Sequence, residues 1–101
     1  MADTIEIFRE DETTHGAYRA DVPGSDRQAR LAWAARDGTR IAQSTWVPPE
    51  ARGTGIAAAL VEALIADARE QGFRIDPRCS YVAAAFDRHP EWADLRADPT
   101  R

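Results

Sequence analysis

The sequence contains no lysine, one cysteine and no apolar run long enough to cross a bilayer. All thirteen basic residues are arginine, so a catalytic lysine and the lysine of a Walker-type phosphate loop are excluded. One cysteine cannot form an internal disulfide, which fits a reducing compartment. No apolar stretch approaches the roughly 18 residues of a membrane span, and the first residues are acidic rather than basic. We therefore expect no signal peptide, no membrane contact and a cytoplasmic location.

A block of basic residues is also missing. The 101 residues carry a formal net charge of −4, whereas nucleic-acid binding needs a clustered positive surface, so this class of function is disfavoured. A hydrophobic content of 44% and a charged content of 30% are typical of a folded domain. We expect a single domain over residues 1–101, with an ordered core of about residues 4–95. Neither histidine has a second histidine or a cysteine at ligand spacing, so we expect no metal site.

Alternating apolar and polar residues dominate the first half of the chain. This period of two predicts four strands, at Thr4–Arg9, Ala17–Val22, Arg30–Ala35 and Thr39–Val47. Asp37 and Gly38, between the last two, are a strong signal for a two-residue hairpin. The first half therefore predicts an antiparallel meander. In its last strand, the alternation places four residues on one face, namely Ile41, Gln43, Thr45 and Val47.

A helical period replaces the alternation at Ile56. Apolar residues recur every three or four positions from Ile56 to Gln71, which predicts a helix with one apolar stripe. Gly72 stands where a helix commonly ends in a left-handed glycine. Glu62, Asp67, Arg69 and Glu70 lie off that stripe.

The remaining residues predict one more strand and one more helix. The strand covers Phe73–Asp76, and Ser80 could cap a short helix that ends before Pro90. Arg96–Arg101 has no pattern and is expected to be frayed. The element order is therefore β-β-β-β-α-β-α, an α+β domain with a mixed, mainly antiparallel sheet of about five strands. The fifth strand follows a helix and can lie parallel to the fourth, with a ligand crevice at the carboxyl ends of these two strands.

The turn between the fourth strand and the first helix is basic and rich in glycine. Gly53 and Gly55 allow the backbone to approach a ligand closely, and Arg52 adds a fixed positive charge. The N–H groups that open the helix, Thr54 to Ala57, have no intrahelical partners and favour an anion such as pyrophosphate. The turn does not fit a dinucleotide fingerprint, because the strands before it are antiparallel and the required acidic residue is missing. The alternative is an ordinary strand-to-helix turn.

Cys79 follows the fifth strand and precedes the second helix. A helix N-terminus lowers the pKa of a thiol and favours the thiolate, so Cys79 is a candidate reactive residue. The alternative is a buried structural cysteine, which is common in proteins.

The order of elements and three motifs resemble the GCN5-related N-acetyltransferase superfamily, and within it a family of small single-domain acetyltransferase-like proteins. The first motif runs from Val47 to Ala57, the second from Pro77 to Val82 and the third from His89 to Leu95. The resemblance covers about residues 1–96. It implies the compact acyl-coenzyme A N-acyltransferase fold.

The same resemblance implies that the chain binds acetyl-coenzyme A and transfers acetyl to an amine. The turn would hold the pyrophosphate, and the strand edge from Thr45 to Val47 would pair with the pantetheine arm. A backbone N–H in that edge could polarise the thioester carbonyl. The residues expected to bind the cofactor are Trp46, Val47, Arg52, Gly53, Thr54, Gly55, Ile56 and Ala57.

The resemblance does not identify a complete set of catalytic residues. Cys79 matches a suspected catalytic or thiol-exchange residue, and Tyr81 is either a packed aromatic or the acid that reprotonates the coenzyme thiolate. Relatives often carry histidine and glutamate where this chain has Ser44 and Trp46, so no general base is visible. Two alternatives stay open: a non-catalytic coenzyme A or acyl-coenzyme A binding module, and thiol chemistry through Cys79. The acceptor is an unidentified amine or peptide, and we expect a monomer or a weak homodimer.

Overall fold

The computed structural model describes residues 5–97 and contains the predicted antiparallel meander. Its strands are β1 (Phe8–Asp11), β2 (His15–Asp21), β3 (Gln28–Arg36) and β4 (Thr39–Trp46). A fifth strand, β5 (Arg74–Pro77), pairs in parallel with β4. Within the described residues the strands lie in the order β1-β2-β3-β4-β5. The predicted fold class, a mixed sheet in an α+β domain, is confirmed.

Two α-helices follow β4. Helix α1 (Ile56–Gln71) has the predicted bounds, and it ends at Gly72, whose φ of 81° is left-handed. Helix α2 (Ser80–Arg88) lies after β5, and short 3-10 turns occupy Pro49–Ala51 and Pro90–Leu95. In the stretch from residue 5 to residue 97, no helix combines the length and apolar character that a membrane crossing requires.

Both helices contribute to one core on one face of the sheet. The core cluster joins alternate residues of β2 and β3 to α1, α2 and the C-terminal 3-10 turn. Its largest fully buried side chains include Tyr18, Leu31, Leu60, Leu64, Ile75 and Val82. Ala17, whose side chain points the other way, is buried but lies outside this cluster. Over residues 5–97, the opposite face of the sheet is therefore free of helices.

The β3–β4 hairpin confirms the turn predicted at Asp37 and Gly38. Their φ angles are 53° and 76°, and two positive values in succession are typical of a type I′ turn. Its twist matches that of the two strands, so this turn sets their register.

The first strand lies further along the chain than predicted. The expectation was Thr4–Arg9, whereas β1 covers Phe8–Asp11, and Thr4 lies outside the described residues. The propensity of acidic residues for strands is low, but here Glu10 accepts hydrogen bonds from Arg19 of the neighbouring strand. Backbone pairing of β1 with β2 therefore outweighs local propensity in β1.

Strand β4 contains a bulge that the alternation did not predict. On β3, Leu31 and Trp33 are two residues apart, but their partners Thr45 and Ala42 are three apart. One extra residue in β4 reverses which side chains face the core. The prediction of one continuous face in this strand was wrong, and it concerned Ile41, Gln43, Thr45 and Val47.

The C-terminal segment is better ordered than expected. Strand β5 covers Arg74–Pro77, one residue later than predicted. Arg96, expected to be frayed, forms a parallel bridge with Ile75, and the Ala97 N–H donates to the Ile75 carbonyl at 2.7 Å. The expectation of fraying was therefore wrong at these two residues, and residues 98–101 lie outside the described part.

Asp67 is buried, although the helical pattern placed it off the apolar stripe. Arg9 donates two hydrogen bonds to its carboxylate, at 2.9 and 3.0 Å, and the Tyr18 hydroxyl donates a third at 2.8 Å. Arg40 in turn donates to the Tyr18 oxygen at 2.7 Å. Burial opposes ionisation, but the hydrogen bonds from Arg9 and Tyr18 outweigh it and hold the pKa of Asp67 below its ordinary value. This partly buried network joins β1, β2, β4 and α1.

Candidate functional site

The candidate site begins where β4 and β5 part. Their pairing covers Thr39–Ala42 and Arg74–Pro77, and the Cys79 N–H then donates to the Ala42 carbonyl at 2.8 Å. Beyond this point, residues 44–46 pair with β3 alone. Among residues 5–97, no other backbone group bonds to that edge of β4. A free strand edge of this kind can accept an extended ligand through main-chain hydrogen bonds.

The bulge in β4 lies at the same point. Pairing with β3 passes from Ala42 directly to Ser44, so Gln43 is the extra residue. A bulge bends its strand and increases the local twist. It therefore accounts for the separation of β4 from β5 just where the free edge starts.

A cleft of about 450 Å³ opens along this edge and continues to the N-terminus of α1. It is lined by the strand end, the glycine turn, the first helical turn and one residue of α2, namely Thr45, Trp46, Val47, Ala51, Arg52, Gly53, Gly55, Ile56, Ala57, Ala58 and Tyr81. Seven of the eight expected cofactor residues lie in this lining. The exception is Thr54, which lines a separate cavity on the other side of the turn.

The two glycines of the turn are required by the backbone. Gly53 has a φ of 82° and Gly55 a φ of 89°, a region that costs about 1–2 kcal/mol for residues with a Cβ. A Cβ added at either position would meet no atom within 4 Å. The space above the turn is thus open, and a ligand can approach the main chain there.

The N-terminus of α1 is not capped by the protein. Gly55 is the N-cap and provides no side chain, and the first intrahelical bond runs from the Ala59 N–H to the Gly55 carbonyl at 3.0 Å. The N–H groups of Ile56, Ala57 and Ala58 have no acceptor among residues 5–97. Together with the helix dipole and the nearby Arg52, these donors favour an anion, and their number suits a pyrophosphate.

Cys79, rather than the expected Ser80, is the N-cap of α2. Its half-buried thiol donates to the Thr45 hydroxyl, with an Sγ to Oγ1 distance of 3.4 Å. Burial disfavours the thiolate, but the Thr45 hydroxyl and the N–H groups of Val82, Tyr81 and Thr45 outweigh it and lower the pKa of the Cys79 thiol. Cys79 does not line the cleft itself. Its thiol contacts Thr45, which does.

Two further side chains near the turn, Tyr81 and Glu50, could exchange a proton, but the structure places them differently. Tyr81 is partly buried and lines the cleft. Glu50 accepts a hydrogen bond from Arg27 at 3.2 Å and lines the separate cavity, so it is not brought into the cleft. A hydrogen bond from Ser25 contributes most to lowering the pKa of Glu50. The cleft lining contains no histidine or carboxylate among residues 5–97.

Two lining residues, Ala51 and Ala58, were not singled out by the sequence. Ala58 could have been found, because the first four N–H groups of any helix lack intrahelical partners. Ala51 carries no such signal, because its burial depends on the 3-10 turn that begins at Pro49. No group of three histidine, cysteine, aspartate or glutamate side chains within residues 5–97 could hold a metal ion.

Comparison with known families agrees with this geometry. A family model described as GCN5-related N-acetyl-transferase matches residues 17–95, which include most of β2, all of β3 to β5, both helices and the entire cleft. A search of curated proteins found no match. The family match spans well over half of the chain and the strand, turn and helix that form the cleft. The chain therefore belongs to the GCN5-related N-acetyltransferase family.

Proposed function

We propose that the chain binds acetyl-coenzyme A in this cleft and transfers the acetyl group to an amine. The observation that carries the proposal is the free edge of β4 leading to the uncapped N-terminus of α1. Such an edge can pair with an extended amide arm, and such a terminus can bind a pyrophosphate. Family membership supports acyl transfer as the reaction class.

The residues present fit the parts of this co-substrate. Arg52 and the N–H groups of Ile56, Ala57 and Ala58 would hold the pyrophosphate. The pantetheine arm would lie along residues 44–46 of β4. The acetyl end would then lie near the point where β4 leaves β5, beside Thr45.

In the reaction, a neutral amine attacks the thioester carbonyl. A C–N bond forms as the C–S bond breaks, and the proton lost by the amine ends on the coenzyme sulfur. Backbone N–H groups of the free β4 edge would stabilise the developing oxyanion. Since Tyr81 lines the cleft, its hydroxyl is the candidate to return a proton to the sulfur. Because the part of the lining that the structure describes holds no carboxylate or histidine, the amine would enter the site already deprotonated.

Isothermal titration calorimetry tests the proposed binding. We expect heat from acetyl-coenzyme A and none from NAD or ATP. Arg52→Gln should weaken binding by about ten-fold or more, because a hydrogen bond to a charged group contributes about 1.5–3 kcal/mol. Arg36→Gln, at an exposed position on β3, is the matched control and should leave the affinity unchanged. Absence of binding at millimolar acetyl-coenzyme A would overturn the proposal.

A second candidate function is acetyl transfer through Cys79. The lowered pKa of its thiol and its contact with Thr45 favour this route. The Cys79 thiolate would attack the thioester carbonyl, forming an acetyl-cysteine and releasing coenzyme A as its thiolate. The neutral amine would then attack this acetyl-cysteine and release the Cys79 thiolate, and the proton lost by the amine would end on the coenzyme sulfur.

Cys79→Ala distinguishes the routes. Loss of amine acetylation with unchanged acetyl-coenzyme A binding would support the covalent route, and full turnover would exclude it. Binding with no consumption across a broad panel of amines by the unaltered chain would instead favour the non-catalytic binding module.

A further inference from the structure

The helix-free face of the sheet carries a row of four residues that crosses four strands. Phe8 pairs with Arg19, Arg19 with Arg30, and Arg30 with Trp46. Residues directly opposite each other share a face, so the four side chains form one continuous aromatic–arginine row. With strands about 4.8 Å apart, the row spans about 14 Å.

The ends of this row are unusually exposed. Phe8 and Trp46 are 41% and 42% exposed, and they are the exposed large hydrophobic residues of the described part, 5–97. Single exposed apolar residues are normal in soluble proteins. Here, however, both lie at the two ends of one row with two arginines between them. An apolar or aromatic partner would remove both rings from water.

The positive charge of the row is only partly neutralised. Arg19 donates two hydrogen bonds to Glu10, at 2.8 and 2.9 Å, whereas the exposed Arg30 forms no ion pair within residues 5–97. Like charges directly opposite each other destabilise a sheet, so an added anion beside Arg19 and Arg30 would be favourable. The nearby Arg27, 5.3 Å from the centroid of the Trp46 ring, is already paired with Glu50.

The row leads into the cleft. Trp46 belongs both to the row and to the cleft lining, because β4 has a free edge at this position. A ligand that lies along the row therefore has one end at the cleft.

We propose that the row binds the acceptor, and that the acceptor is a peptide with acidic and aromatic side chains whose amino group lies at the Trp46 end. A carboxylate complements Arg30, and aromatic rings complement Phe8 and Trp46. An extended peptide of about four residues spans the row. A nucleic acid fits less well, because the row offers Arg30 as its one unpaired cation among the described residues, in a chain of net charge −4, and so few phosphate contacts. The identification of the peptide as an acceptor rests on the proposed acetyl transfer.

Calorimetry with two hexapeptides tests this surface. Both have a free α-amino group and phenylalanine residues, and they differ only in aspartate against lysine at the charged positions. The aspartate peptide should bind the unaltered chain, and Arg30→Glu should weaken it at least ten-fold. Arg36→Glu, on the same strand and face but at its other end, should change its affinity less than two-fold. The lysine peptide should bind Arg30→Glu more tightly than the unaltered chain.

Arg30→Gln is a second variant that removes the charge without reversing it. Its affinity for the aspartate peptide should lie between those of the unaltered chain and Arg30→Glu. The inference is overturned if Arg30→Glu and Arg36→Glu weaken binding equally. It is also overturned if the lysine peptide binds the unaltered chain as tightly as the aspartate peptide, or if a single-stranded oligonucleotide binds more tightly than either.

Parallel titration with acetyl-coenzyme A separates this inference from the proposed function. If acetyl-coenzyme A binds but neither peptide does, the inference about the row is rejected and the proposed function stands. If the aspartate peptide binds through Arg30 but acetyl-coenzyme A does not bind, the proposed function fails and the row stands as a peptide-binding surface.

Discussion

The polar groups in the two halves of β4 differ in whether they have partners within the protein. The first half, Thr39–Ala42, is paired on both sides, and its Arg40 is only 8% exposed. The Arg40 guanidinium lies 3.8 Å from the centroid of the Trp33 ring and 4.3 Å from that of Phe73, and it donates to Tyr18. The second half, residues 44–46, is paired only with β3 and opens onto the cleft.

This difference separates stability from ligand binding within one strand. Buried polar groups need partners, and no buried side-chain nitrogen or oxygen in residues 5–97 lacks one. The free edge and the uncapped helix N-terminus, by contrast, leave donors exposed to solvent, where a ligand can replace water. Changes in the first half should therefore alter stability, and changes near the second half should alter ligand affinity.

The largest effect is expected from Asp67→Ala. Removal of this carboxylate leaves Arg9 and the buried Tyr18 hydroxyl without the acceptor of their hydrogen bonds, which should lower the free energy of unfolding by about 3 kcal/mol. Urea denaturation measures this change. Asp94→Ala, which breaks the exposed Arg69–Asp94 pair, should cost less than about 1 kcal/mol. If both substitutions lowered the free energy of unfolding equally, the network of Asp67, which includes Arg40 of β4, would stabilise the fold no more than a surface ion pair does.

A pH dependence follows from the same network. The pKa of Asp67 is lower in the folded chain than its ordinary value, so its contribution is complete above about pH 4 and is lost as the pH falls through the folded-state pKa. The unaltered chain should therefore lose stability more steeply than Asp67→Asn between about pH 4 and pH 2. Urea midpoints at successive pH values measure how steeply the stability of each protein falls. If stability fell equally steeply in both proteins, Asp67 would not be the cause of the pH dependence.

Substitutions at two glycines, one at the cleft and one in the β3–β4 hairpin, compare these two regions directly. Gly55→Ala and Gly38→Ala both place a Cβ on a left-handed residue, so each should cost about 1 kcal/mol of stability. Only Gly55→Ala changes the N-cap of α1 and should weaken acetyl-coenzyme A binding. Denaturation and calorimetry on both variants test this expectation. If Gly38→Ala weakened binding equally, the effect would be one of stability rather than of the site.

The smallest effect is expected at Thr45. Thr45→Val removes the hydroxyl that stabilises the Cys79 thiolate, so the pKa of the thiol should rise. The pH dependence of alkylation by iodoacetamide reports this pKa, and its midpoint should move to higher pH. Thr39→Val, in the doubly paired half of β4, should leave the midpoint in place. If the alkylation midpoint moved equally in both variants, loss of the contact between Thr45 and Cys79 would not be the cause of the shift.

Local features of the fold could be read from the sequence. The bounds of α1, its Gly72 end, the Asp37-Gly38 hairpin and the positive φ at Gly53 and Gly55 agree with the structure. Each of these depends on interactions within a few residues: helical periodicity, turn geometry and the conformational freedom of glycine. The family could be recognised for the same reason, since its motifs are contiguous.

Only the tertiary structure decided the features that join distant residues. Asp67 bonds to Arg9, 58 residues away, and nothing in the pattern of α1 indicates this partner. The bulge in β4 is visible only as a register difference against β3, and the row from Phe8 to Trp46 exists only because four strands align. Amino-acid order sets which local structures form. The alignment of strands and helices then decides which polar groups are buried with partners and which are left open at the cleft.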